Sequence, residues 1–145
     1  MRLAFVILLL SLAGALANEA APRNAPYDGV FDPWRACTAA LDLAKQGAPD
    51  ALRTCFLAAY VRVSQPFLGG EDLESMIQVF DQLITAPGDE TFSRALAKQR
   101  PEVRSAVGWF LNNNPKLKQC PKTAKLLHHA PKIDWPLVKA YRDDR

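Results

Sequence analysis

The chain has 145 residues, of which 49% are hydrophobic and 23% charged, with a formal net charge of +3. This length fits one domain with a real core rather than a multidomain protein. The near-balanced charge selects no partner class on its own, and outside the first residues no apolar run approaches membrane-spanning length.

Residues 1–17 have the order of a secretory signal peptide. Arg2 supplies the basic start, residues 3–12 form an apolar run, and Ala13-Gly14-Ala15-Leu16-Ala17 puts small residues before a cut at Asn18. The run falls short of the about 20 residues a spanning helix needs. The expected product is a periplasmic or otherwise secreted protein, and no Cys at the cut offers a lipid anchor. Residues 18–31, rich in Pro and Ala, read as an extended N-terminal arm, and residues 32–145 as a single helical domain.

Asp32-Pro33 is the first helix signal, Asp as N-cap and Pro at the first helical position. Trp34, Cys37, Leu41 and Ala44 follow at helical spacing up to Gly47. Pro49 restarts the chain, and Leu52, Cys55, Phe56, Ala59, Tyr60 and Val63 form one apolar stripe. The short connection between these helices predicts an antiparallel hairpin. A third helix should place Leu73, Met76, Ile77, Phe80, Leu83 and Ile84 on one face and acids on the other. Asp89 should cap a short fourth helix bearing Phe92 and Leu96, and Pro101 should open a fifth with Val103, Ala106, Val107, Phe110 and Leu111 inside. Asn112 to Pro115 is a stop, Pro121 opens a sixth segment, and Asp134 to Tyr141 allows a last short helix. No alternating β-branched run bounded by hairpin turns occurs. The expected fold is all-α, a compact bundle of five to seven short helices with a disulfide-stapled N-terminal hairpin.

The staple rests on Cys37 and Cys55, which face the buried stripes of the first two helices. Exported domains usually pair their cysteines, and closing this loop would stabilise the fold by about 3 kcal/mol in the chain-entropy model. Cys120 is then a buried thiol or an intermolecular link, and its pairing with Cys37 or Cys55 remains open.

Charge is unevenly distributed. Residues 18–93 hold five basic and eleven acidic side chains, residues 94–145 twelve basic and four acidic ones. Two faces attracting each other across the fold is one reading, and a docking surface for a charged partner is the other.

No motif carries catalysis. Glu74-Ser75 looks like the catalytic pair of lytic transglycosylases, but the supporting Gly-x-Met-Gln pattern is missing and Glu74 lies off the apolar stripe. Adjacent His128 and His129 point about 100° apart on a helix, unlike metal ligands at i and i+4, so no metal and no cofactor is expected. Cys120 lies two helical turns from His128, too far within one helix for a nucleophile–base pair. Trp109 sits off the fifth helix's stripe, as a residue half-buried against a neighbour or as an interface anchor. The loops at 66–70 and 87–89, with Phe67 and Asp89, complete the expected partner-facing surface, because loops on rigid scaffolds carry binding.

Two stretches resemble the Rap/Tai family of periplasmic immunity proteins, which neutralise peptidoglycan amidases delivered by type VI secretion. Cys37 followed by Cys55-Phe-Leu-Ala-Ala-Tyr60-Val is similar to that family's cysteine pair and following tyrosine, and Val107-Gly-Trp-Phe-Leu111-x-x-x-Pro115 to its late helix and turn. Ala59 and Ser64 stand where glycines flank the family's tyrosine, and the C-terminal end has no cysteine. The resemblance implies an inhibitor that binds a secreted toxin and blocks its active-site groove without catalysis of its own. A periplasmic adaptor or chaperone-like subunit of an envelope complex, and a small cell-wall hydrolase, are the other readings. None of these needs nucleic acid as a partner.

Overall fold

Proline sets the helix starts of this chain. A computed structural model of the protein describes residues 32–64, 70–136 and 139. Its elements are α1 (Pro33–Lys45), α2 (Pro49–Ser64), α3 (Gly70–Leu83), α4 (Asp89–Ala97), α5 (Pro101–Leu111), a 3-10 turn (Pro115–Gln119) and α6 (Pro121–His128). Five of the seven begin on Pro, whose fixed φ suits the first helical position and whose missing N–H leaves nothing unsatisfied there. The fold is all-α, and the described residues contain no strand.

The helix α2 is the centre. Ala51, Leu52, Cys55, Phe56, Ala58, Ala59 and Val63 are all buried, so its apolar surface exceeds the single stripe read from the sequence. Small residues at 51, 58 and 59 let neighbours approach on several sides, and α1, α4 and α5 pack against it. Arg62, which the sequence presents only as a charge, is fully buried in its last turn. Antiparallel α1 and α2 join through Gly47 at φ +83°, a left-handed position that Gly occupies without the strain of a Cβ. The Gly47 N–H bonds the Ala44 carbonyl at 2.9 Å and the Ala48 N–H the Leu43 carbonyl at 3.0 Å, closing the turn.

Three expectations change. Cys37 and Cys55 meet across the hairpin, both with no exposed surface, but they are thiols rather than a disulfide. Cys55 Sγ lies 3.7 Å from the Cys37 carbonyl oxygen, directed onto backbone rather than into a sulfur–sulfur bond. Ile77 leaves the buried face of α3: Leu73, Met76, Phe80 and Leu83 keep the i, i+3, i+7, i+10 line inward, and Ile77 is 40% exposed beside it. At α4 the N-cap is Gly88, with no side-chain cap, and Asp89 is the first helical residue. The last helix expected from Asp134 is represented by the Lys139 N–H to Trp135 carbonyl bond at 3.0 Å, and residues 137, 138, 140 and 141 of that span lie outside the described residues. The expected signal peptide (residues 1–17) and N-terminal arm (residues 18–31) lie outside them too.

Aromatic contacts tie the layers together. Phe56 of α2 meets Phe92 of α4 edge-on at 5.1 Å, and Phe80 of α3 stacks on Phe110 of α5 at 5.4 Å. Beyond α6 the chain returns along α2, where buried Trp135 packs edge-on against Tyr60 at 5.8 Å. Among the described residues no helix is long and apolar enough to cross a membrane.

Candidate functional site

The side chains that close the α3–α5 corner also shape a cleft. The chain leaves α5 at Leu111 because Asn112 to Asn114 are poor helix formers and Pro115 cannot continue the ladder. Asn114 caps the 3-10 turn, its Oδ1 accepting from the Lys116 N–H at 2.9 Å, while its Nδ2 donates to Asp81 Oδ1 at 3.1 Å. Lys116 Nζ then donates to Asp81 Oδ2 at 2.7 Å and to the Asp81 carbonyl at 3.0 Å. The Lys116 ammonium holds the Asp81 carboxyl below the usual range, helped by Asn114 and opposed by partial desolvation. These bonds fix the end of α5 to the outer face of α3.

Between them opens a cleft of about 590 Å³, lined on α3 by Ile77, Gln78 and Asp81 and on the other wall by Trp109, Asn112 and Pro115. Trp109 is partly buried and rests edge-on against Phe110 at 5.0 Å. Phe110 stacks in turn on Phe80, so the indole is backed by a chain of rings running into the core. Ile77, 40% exposed, lines the same cleft. The lining thus combines a planar aromatic, an exposed aliphatic and several side-chain amides beside the Asp81–Lys116 pair.

The structure places the other sequence candidates elsewhere. Asp89 is engaged within the fold. Its Oδ1 accepts from the Thr123 N–H at 2.9 Å and the Thr123 hydroxyl at 2.7 Å, and its Oδ2 from the Lys122 N–H at 2.8 Å. Asp89 therefore caps α6, not α4, and its carboxylate oxygens are engaged at the start of that helix. Burial pushes its pKa up, but the Lys122 and Thr123 donors outweigh burial and hold it below the usual value. Phe67 lies outside the described residues. Trp109 is thus the one candidate of the three at the cleft.

The charged halves meet across the fold, as the first of the two charge readings expected. Lys116 pairs with Asp81, and Lys122 pairs with Glu90, which Arg94 also holds at 2.8 Å. Glu74 is exposed on α3. His128 and His129 are exposed and stand edge to face at 5.4 Å. His129 Nδ1 lies 2.7 Å from the Lys125 carbonyl, serving the end of α6. Cys120 is buried with Sγ 3.6 Å from the Ile84 carbonyl, and desolvation, then the Asp89 charge, push its thiol pKa up. Cys37 is likewise pushed up, by its hydrogen bond with the Cys55 thiol and by burial. Both shifts favour the unreactive protonated form. Among the described residues no group of three His, Cys, Asp or Glu is placed to hold a metal ion.

The Ile77 wall is what sequence reading missed. Helical periodicity assigns Ile77 to the core, and the only signal against it is that 73, 76, 80 and 83 already complete the inward line. No protein-family model matches the chain, and neither a curated protein nor a solved structure does.

Proposed function

We propose that this chain is an exported protein-binding domain that engages its partner through the cleft between α3 and α5, in the manner of an immunity or inhibitor protein directed at a cell-wall-degrading toxin. One observation carries the reading: Trp109 and the exposed Ile77 line the same cleft, beside the bonds among Asp81, Asn114 and Lys116. Trp is the residue most enriched at the centres of protein interfaces, and a braced anchor loses little conformational freedom on binding. The inhibitor role and the periplasmic location rest on the signal-peptide pattern and on the resemblance of the Cys37–Val61 and Val107–Pro115 stretches.

Affinity capture with the tagged protein from its native envelope extract, read by mass spectrometry, tests the reading. One stoichiometric hydrolase partner, lost with Trp109→Ala and with Ile77→Glu, is the expected result. Capture unchanged by both substitutions overturns the assignment of the site. A structural or transport complex in place of a hydrolase favours the adaptor reading.

A further inference from the structure

The lysines that the fold itself does not engage point to a second surface. We infer that α6 and the residues flanking it, with Lys118, Lys125 and Lys132 exposed and Lys122 set beside Arg94 of α4, form a docking surface for a carboxylate-rich patch on a partner protein. The inference does not rest on the cleft.

Between Glu102 and Asp134 the chain carries Arg104 and five lysines and no acidic residue. The fold engages two of the five: Lys116 meets Asp81, and Lys122 meets Glu90. Glu90 also holds Arg94, so one carboxylate serves two cations and positive charge remains in excess there. Lys118, Lys125 and Lys132 are exposed, and among the described residues none of them has a carboxylate at ion-pair distance. On α6 the charges lie on the outward side. Thr123 is buried and Ala124 and Leu127 partly so, whereas Lys122, Lys125 and His129 follow at i, i+3 and i+7 and are exposed.

Helix stability accounts for only part of this arrangement. Lys125 lies in the last turn of α6, where a cation suits the dipole, but Lys122 lies in the first, where it does not. Lys118 and Lys132 stand outside the helix altogether. Their mutual repulsion disfavours the compact state, and an arriving anion relieves it. The anion is a carboxylate by the fold's own example, since both engaged lysines take one, Asp81 Oδ2 and Glu90 Oε2. The eight residues of α6 span about 12 Å, a width that meets several separated carboxylates rather than one small ion. A lipid surface would call for apolar side chains beside the basic ones. The large apolar residues exposed among the described ones are Leu43 of α1 and Ile77 of α3, neither of them on α4 or α6.

The test is a titration of the full-length chain with the blocked peptide acetyl-hexaglutamate-amide, followed by ¹H–¹⁵N NMR. The corresponding glutamine peptide and phosphatidylglycerol vesicles are the comparisons. The glutamate peptide is expected to shift the backbone N–H signals of residues 118–132 before others. Its binding should weaken as salt rises from about 0.01 M to about 0.15 M, over which the screening length falls from about 30 Å to about 8 Å. Lys118→Glu with Lys125→Glu should weaken it at least about fivefold. Arg53→Glu with Lys139→Glu changes the net charge equally at two other exposed positions and should weaken it less than about twofold. All four side chains are exposed, and thermal melts of the two double variants verify that both fold. Equal weakening in the two variants would make net charge the cause and overturn the inference, as would shifts centred elsewhere or no response to the glutamate peptide. Equal binding of the glutamine peptide would remove charge from the recognition, and binding of the vesicles alone would replace the protein partner with a lipid surface. None of these outcomes bears on capture through Trp109, so the cleft and the lysine face stand or fall separately.

Discussion

Asp89 caps a helix that begins more than thirty residues after it: its Oδ1 accepts both the N–H and the hydroxyl of Thr123, whose side chain is fully buried. The α4 and α6 starts are thereby fastened together, with the carboxylate at the positive end of α6. Asp89→Ala removes three acceptor contacts and leaves the Thr123 hydroxyl buried without them. It should destabilise the protein by about 1–2 kcal/mol. Glu90→Ala, whose partners are the surface cations Arg94 and Lys122, should leave stability nearly unchanged. Urea unfolding of the two variants compares them directly, and equal losses would contradict the cap.

Acid should loosen two junctions, the α4–α6 cap at Asp89 and the tie from Asp81 on α3 to Asn114 and Lys116. Asp81 and Asp89 both have folded-state pKa values lowered from the ordinary one. A lowered folded pKa means stability present above the unfolded-state pKa of about 3.9 and lost as pH falls through the folded value. Stability should therefore hold across neutral pH and decline below about pH 4, and Asp89→Asn should flatten that decline. Thermal melts between neutral and acid pH measure it, and a loss that begins near neutrality would place the cause elsewhere.

The two left-handed glycines should differ. Both Gly47 and Gly88 have φ near +85°. A Cβ on Gly47 would also meet Thr91 Cγ2 at 3.0 Å, whereas one on Gly88 would meet nothing within 4 Å. Gly88→Ala should cost about 1 kcal/mol from backbone strain, and Gly47→Ala more, because strain and contact add. Chemical denaturation of the pair checks the order.

Packing and binding should separate along the chain. Phe56 has no exposed surface and meets Phe92 edge-on, so Phe56→Ala should cost about 3–5 kcal/mol. Ile77→Ser should change stability by less than about 1 kcal/mol, because the residue is 40% exposed. Retained stability of Ile77→Ser makes it the clean variant for partner-capture experiments.

The thiols should distinguish themselves under oxidation. Oxidised glutathione accepts two electrons and two protons from a dithiol, forming one protein disulfide and two reduced glutathiones. Because Cys37 and Cys55 are in contact and Cys120 lies elsewhere, against Ile84, partial unfolding and refolding with this oxidant should link 37 to 55. Peptide mapping without reductant reads the result, and a link containing Cys120 would contradict the expectation.

The sequence by itself determined the helices. Pro at 33, 49, 101 and 121 acts through its own ring on its own φ, and the Leu52–Val63 stripe acts through a period of 3.6 residues, so both are legible without neighbours. It also placed Cys37 beside Cys55, since a short connection leaves two helices little choice of partner. Only the tertiary structure decided which side of α3 carries Ile77, which helix Asp89 caps, and that Trp109 rests on Phe110 and Phe80 beside a cleft. Each of these depends on an element far along the chain arriving at a given angle. Periodicity states that a face is apolar, and only the packing of the other helices states how wide that face is and what remains outside it.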